Sequence, residues 1–286
     1  MAVTLIPHRQ PASPNPRSML DVRNKLILFW MHRCGSTTAQ LWFFELAGWK
    51  ERMAGRGAGE LSRMWFAEHE HDYGGLQECY RDPSYLKIAV VRHPLPRAIS
   101  AFTVMTDSKT GLQWRVVARS VAAPDAERRL TFLEFLDFLE QTDLATANYH
   151  WRLQTAQDWC DLSLPDIQFV RLESIRAGLN DVCRKLGRKR IPVWLNSAQT
   201  KIRSKFSGEE IVNFTRADFA REFGTDRRGV IRFPDYGSFL TPHAAERLAR
   251  LYARDFTALG YDPNVIPTEE ANRPTLWQRA MRRLSR

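Results

Sequence analysis

Two short runs in this sequence gather the side chains that hold an oxyanion. The first is His32-Arg33-Cys34-Gly35-Ser36-Thr37-Thr38, which supplies one cation, one glycine that lets the backbone approach closely, and three hydroxyls. The second runs from Arg92 through His93, Pro94 and Arg97 to Ser100 and Phe102. There Arg92 offers a forked donor suited to a phosphate, and the Ser100 hydroxyl can complete the shell. Between them lies His69-Glu70-His71, whose last residue stands 21 positions before Arg92. An imidazole with a pKa of about 6.5 is neutral at working pH and can accept a proton, so His71, then His69, then Glu70 are candidates for a general base. A solvated surface turn is the plain alternative for the same three residues. His150 is a rival, although the adjoining Trp151 suggests a histidine packed under the sheet.

The elements that must position these groups are legible from the apolar pattern. Lys25 to Trp30 is a short apolar run suited to a buried strand. The 32–38 turn follows it, and a helical stretch marked by Leu41, Phe44 and Glu45 closes at Gly48. Strand, glycine-containing turn and helix form a phosphate-binding unit, with backbone N–H groups at the helix start facing the anion. A second strand, Tyr85 to Val91, runs into Arg92 and a helix through Ala98 and Phe102. Residues 131–140 predict a helix capped by Thr131, and Ile167 to Leu172 predicts a third strand followed by a helix through Leu179, Val182, Cys183 and Leu186. Thr241-Pro242 opens a last helix that reaches Gly260. Strands alternating with helices imply an α/β fold, a P-loop-like parallel sheet flanked by helices on both faces.

The remaining stretches give less. Residues 1–20 carry four prolines, Pro7, Pro11, Pro14 and Pro16, and read as a flexible arm ahead of a single domain over 21–265. Residues 196–235 are charged and mixed, consistent with a flexible lid or an inserted loop. Lys201, Arg203, Ser204 and Lys205 within them read as a solvated charge run, and Arg81-Asp82-Pro83 reads as a turn. In the tail, 266–286, Leu276, Trp277, Ala280, Met281 and Leu284 fall on one side of a helix and Arg279, Arg282, Arg283 and Arg286 on the other. Such a basic amphipathic helix can make peripheral contact with an anionic membrane, or dock on its own domain or a partner.

The net charge of +10 favours anionic partners. No Gly-Lys-Ser/Thr exists, so a Walker A loop is excluded, and an ATPase or small-molecule kinase is disfavoured. No RNP-type motif, zinc finger or recognition helix supports nucleic-acid binding. The four cysteines, Cys34, Cys79, Cys160 and Cys183, show neither CxxC nor zinc spacing, and no His, Asp or Glu spacing calls for a metal. With no signal-peptide pattern and no apolar run long enough for a membrane span, the expected location is cytoplasmic.

The run from Arg92 to Phe102 resembles the 3′-phosphate site of the sulfotransferases that use 3′-phosphoadenosine-5′-phosphosulfate (PAPS), R-[DH]-P-x-x-R-x-x-S-x-[YF], without a break. The 32–38 turn resembles that family's 5′-phosphosulfate loop, P-K-x-G-[ST]-[ST], with His32 in the Pro-Lys entry and Arg33 where lysine is common. His150-Trp151 to Gln154, Cys160, Glu173, and the closing Tyr252, Asp255, Phe256, Gly260 and Tyr261 are similar to stretches of the carbohydrate sulfotransferases, the chondroitin and dermatan enzymes among them. His69-Glu70-His71 is similar to the His-x-His that supplies the base in heparan sulfate 2-O-sulfotransferases. The resemblance covers roughly residues 25–262 and implies sulfuryl transfer from PAPS, with 3′-phosphoadenosine-5′-phosphate (PAP) as product and no metal. It implies Arg33, Cys34, Gly35, Ser36, Thr37 and Thr38 around the 5′ end, Arg92 and Ser100 at the 3′-phosphate, and His71 or His69 as base. The implied acceptor is a hydroxyl or amine of a glycan, glycolipid or small molecule, met through the loops around 50–80, 104–130 and 196–240.

Overall fold

The computed structural model describes residues 18–68, 76–107, 130–156, 166–193, 204–226 and 229–265. Four strands, β1 (Ser18–Asp21), β2 (Leu26–Phe29), β3 (Leu86–Val91) and β4 (Ile167–Arg171), form one sheet in the order β1-β2-β3-β4. β2, β3 and β4 are parallel, with Leu28 opposite Ile88 and Ala89 opposite Phe169. β1 runs antiparallel to β2, joined through a turn in which Lys25 takes a φ of 48°. The sheet is therefore mixed. The proline-rich reading of residues 1–20 also stops short: Met19 and Leu20 are buried, and strand pairing begins at Ser18. Two apolar residues on opposite faces of an edge strand outweigh the composition of the segment before them.

Strand alternation divides the core in two. Ile27, Phe29, Ala89 and Val91 point to one face, Leu26, Leu28, Ile88 and Val90 to the other, and all are buried. Both faces must therefore be covered. On the second lie α1 (Ser36–Leu46), α2 (Ala58–Glu68) and, after β4, a helix at Ile175–Lys185. Trp42, Phe43 and Phe44 of α1 pack with Trp49 and Trp65 in one aromatic group. On the first face lie α3 (Leu76–Arg81), α4 (Pro94–Asp107) and α5 (Phe132–Glu140), the last held by a full capping box between Thr131 and Glu134. The helix after β4 becomes α6, and Gly178 in it meets the sheet so closely that an added Cβ would lie 2.7 Å from a methyl of Val170.

The segment expected as a lid is part of the core over its described residues. Ser207 and Glu210 form a capping box on α7 (Gly208–Ile211), and Thr215 and Asp218 form another on α8 (Arg216–Phe223). Ile211, Phe219 and Phe233 are buried with Phe102, Phe132 and Phe239. The caps S-x-x-E and T-x-x-D were present in the sequence, masked by the charged residues between them. Lys205 is 77% exposed and meets the reading of a solvated charge, whereas Lys201 and Arg203 lie outside the described residues. Of Arg81-Asp82-Pro83, read as a turn, Arg81 closes α3 and only the last two residues turn, with Asp82 accepting from the Ser84 N–H at 2.7 Å. Among the described residues no helix is long and apolar enough to cross a membrane. The tail from 266 onward lies outside them.

The last helix divides into α9 (Pro242–Leu251) and α10 (Ala253–Leu259), with Tyr252 at the break donating its hydroxyl to Trp151 O at 2.8 Å. One turn later Asp255, fully buried, accepts from Gln154 N–H at 2.8 Å, Thr155 N–H at 2.9 Å and the Thr155 hydroxyl at 2.9 Å. A buried donor stripped of its acceptor costs about 1–3 kcal/mol. Asp255→Ala should therefore lower the unfolding free energy by about 3 kcal/mol or more, and Asp255→Asn by roughly half that. Urea denaturation checks this; equal stability of all three proteins would refute the anchoring role.

Candidate active site

The carboxyl ends of β2 and β3 are neighbours because the strands pair in parallel, so the residues that follow each strand meet. After β2 the chain turns through Arg33 and Gly35, at φ 66° and 76°, into α1. Gly35 is the N-cap residue and no side chain caps the helix, so the positive end of its dipole faces the turn. A Cβ at Gly35 would lie 2.5 Å from Leu172 Cδ1, so both backbone and space require glycine. Arg33 has no such exemption. A non-glycine residue in the left-handed region stores on the order of 1–3 kcal/mol unless its surroundings hold it there. Here Arg92 Nη1 donates to Arg33 O at 3.1 Å and helps to hold it.

Three guanidinium groups converge on this turn. Arg33 Nε and Nη2 donate to Ser100 Oγ at 3.0 and 2.8 Å, which ties the first motif to the second. Arg92, 5% exposed, lies over the Tyr236 ring with its guanidinium carbon 5.2 Å from the centroid. Arg97, 1% exposed, extends from α4 to His32 O at 3.4 Å and Tyr149 O at 3.3 Å. Burial pulls Arg33 down to about 10, opposed by Tyr236 and assisted to a lesser degree by the like charges of Arg92 and Arg97. It still carries its proton at neutral pH. Among the described residues no carboxylate stands within ion-pair distance of Arg33. Buried cations normally have a counter-charge, and its absence beside an uncapped helix start marks a place for an anion.

A second layer fixes the backbone of both motifs. Gln154, fully buried, accepts from Arg92 N–H at 2.9 Å and returns its Nε2 to Arg92 O at 2.8 Å, continuing the ladder of β3 by a side chain. The Cys34 thiol donates to the same Gln154 oxygen at 3.2 Å. Burial pushes that thiol up to about 11, so Cys34 is a packing and hydrogen-bonding group rather than a nucleophile. Glu173 accepts from His93 N–H at 2.8 Å and from the Tyr261 hydroxyl at 3.0 Å. His93 Nδ1 accepts from Leu95 N–H at 3.3 Å, leaving Nε2 to donate to Asp262 O at 3.1 Å.

Of the residues selected by sequence, Arg33, Cys34, Gly35, Ser36, Thr37, Thr38, Arg92 and Ser100 come together at these two strand ends. His69, Glu70 and His71 lie outside the described residues. His150 is placed differently from expectation: its ring sits 4.4 Å from that of His32, at the mouth of the turn. Trp151 alone packs inward, on Phe135 and Phe138. Sequence reasoning named Arg97 without giving it a role of its own, and passed over Tyr236. Arg97 lies inside the second motif, five positions after Arg92, whereas Tyr236 falls in a segment without any periodic signal.

A profile of the sulfotransferase family matches residues 16–262. The chain belongs to the sulfotransferase family. No curated protein and no solved structure matches it. The matched span opens at β1 and closes at Asp262, so it takes in both ends of the network just described. Within this sulfotransferase, Arg33 should oppose folding and favour anion binding at once. Arg33→Met is expected to leave the melting temperature of the ligand-free protein unchanged or higher, while sulfate or phosphate stabilises it less than wild type. A drop in ligand-free stability, with anion stabilisation intact, would contradict that reading of the charge cluster.

Proposed function

We propose that this sulfotransferase moves a sulfuryl group from PAPS to a hydroxyl or amine of a glycan, glycolipid or small-molecule acceptor, by in-line displacement with a histidine as base. The observation that carries the reading is the Arg33–Arg92–Arg97 cluster, half-buried at Arg33 and buried at Arg92 and Arg97, set against an uncapped helix start with no carboxylate opposite Arg33 among the described residues. A donor with a phosphate at each end of its nucleoside supplies the missing charge.

Sulfuryl transfer, like phosphoryl transfer, needs in-line geometry and relief of charge on the leaving oxygen. The acceptor oxygen forms a bond to sulfur as the bond from sulfur to the 5′-phosphate oxygen breaks, and that oxygen keeps the electron pair. Arg33, with the Ser36, Thr37 and Thr38 hydroxyls and the amides of α1, faces that oxygen. Arg92 and Ser100 hold the 3′-phosphate, and Tyr236 braces the Arg92 guanidinium. The acceptor proton goes to His71, with His69 next in line, on the strength of their offset from Arg92. The glycan class of acceptor rests on the similarity of 148–173 and 251–261 to carbohydrate sulfotransferases.

PAP should raise the melting temperature while ATP and duplex DNA do not, because a ligand of the native state stabilises by RT ln(1 + [L]/Kd). Equal shifts from ATP would overturn the donor assignment. In calorimetry, Arg92→Ala should weaken PAP binding by about 30–150-fold, the equivalent of roughly 2–3 kcal/mol for a charged contact. For the base, His71→Ala should cut turnover at least a hundredfold with PAP affinity retained. Turnover within a few-fold of wild type in both His71→Ala and His69→Ala would remove both residues from the role.

A further inference from the structure

No role above uses His150. Its ring lies 4.4 Å from that of His32, the residue before Arg33, at a tilt of 32°, and its backbone N–H is held by Asn148 Oδ1 at 3.1 Å. Arg97 binds the carbonyls of His32 and Tyr149 together, so one guanidinium clamps both segments that carry histidines. His150 Nδ1 is buried and has no hydrogen-bond partner among the described residues. The groups that face the ring are His32 and Arg33 from the turn and Arg97 from α4, while Tyr149 and Arg152, stacked on each other, flank it on its own segment. None is a carboxylate. Burial first, and then His32, Arg33 and Arg97, hold the imidazole down at about 3, so it is neutral at working pH.

We propose that His150 is a further member of the anion site: when the anionic 5′ end of the donor settles against Arg33, His150 takes up a proton and donates a hydrogen bond to it. The inference rests on the PAPS reading above. The positive groups that expel the proton from the ring are those an incoming phosphate would neutralise. An oxyanion there reverses the local field and converts an unsatisfied ring nitrogen into a charge-assisted donor. Donor binding and proton uptake are thereby coupled, and by linkage the affinity must depend on pH.

Calorimetric titration of the full chain with PAP, in paired buffers of different ionisation heat, counts the protons. The phosphates of PAP titrate near pH 6 whichever protein binds them, so the difference between wild type and His150→Gln isolates the imidazole. Wild type should take up as much as one proton more than the variant near pH 6–7. Its affinity advantage should be about tenfold at pH 6 and shrink to less than about twofold at pH 8. Equal proton counts, or an advantage that does not change with pH, would overturn the inference and leave the donor reading standing. Loss of the extra proton in His32→Gln but not in His150→Gln would also overturn it. A wild type that does not bind PAP sinks the donor reading and this inference together. Should His150→Gln fold poorly, the ring resonances of His150 in wild type decide: a shift to the protonated form on adding PAP at pH 6.5 supports the coupling, and an unmoved resonance refutes it.

Discussion

The interaction on which the rest depends is the repulsion among Arg33, Arg92 and Arg97. A protein gains nothing in stability from gathering three guanidinium groups where water is scarce and no carboxylate answers Arg33. Each is therefore held by neutral acceptors: Arg33 by the Ser100 hydroxyl, Arg92 by the Arg33 carbonyl, Arg97 by the carbonyls of His32 and Tyr149. Such acceptors occupy several of the donors without cancelling the charge. On the proposed donor reading, that field is left for an anionic ligand to cancel.

Holding that arrangement needs rigid backbone on both sides, which accounts for the polar residues buried behind it. Gln154 continues the β3 ladder past its last strand residue and engages the turn through Cys34. Asp255 fixes Gln154 in turn, and Glu173 joins the residue after Arg92 to the end of the chain's last described helix through Tyr261. The closing segment, far away in sequence, thus sets the position of the strand ends. Among the described residues none of these carboxylates forms an ion pair with Arg33.

How much was legible in the sequence follows from how local each signal is. The two anion motifs, the strands after Lys25 and Tyr85, and the Thr131 helix depend on neighbours a few residues apart, and they stand where the pattern put them. β1 was hidden because two apolar residues beside four prolines make no periodic signal, and only pairing with β2 makes them a strand. The 204–235 stretch was hidden for a related reason: its aromatic residues are spaced among charges, yet Phe219 and Phe233 reach the core. His150 was misplaced because the burial of Trp151 was extended to its neighbour. Successive residues in an irregular segment can face opposite ways, and here one enters the core while the other joins the turn.

Three unfavourable features of the structure meet beside Arg33. Arg33 occupies a conformation that suits glycine, its charge is partly stripped of water, and the ring nitrogen of His150 beside it lacks a partner. Elsewhere α5, α7, α8 and α9 carry side-chain caps, and the buried carboxylates of Asp255 and Glu173 are filled with donors. Strain, desolvated charge and an unmet hydrogen bond would be selected against at three unrelated positions. Meeting at the ends of β2 and β3, they share one remedy, an anion seated between α1 and Arg92. On that convergence rests the proposed reading of the turn as the donor site, where the same residues scattered over the surface would make only a basic protein.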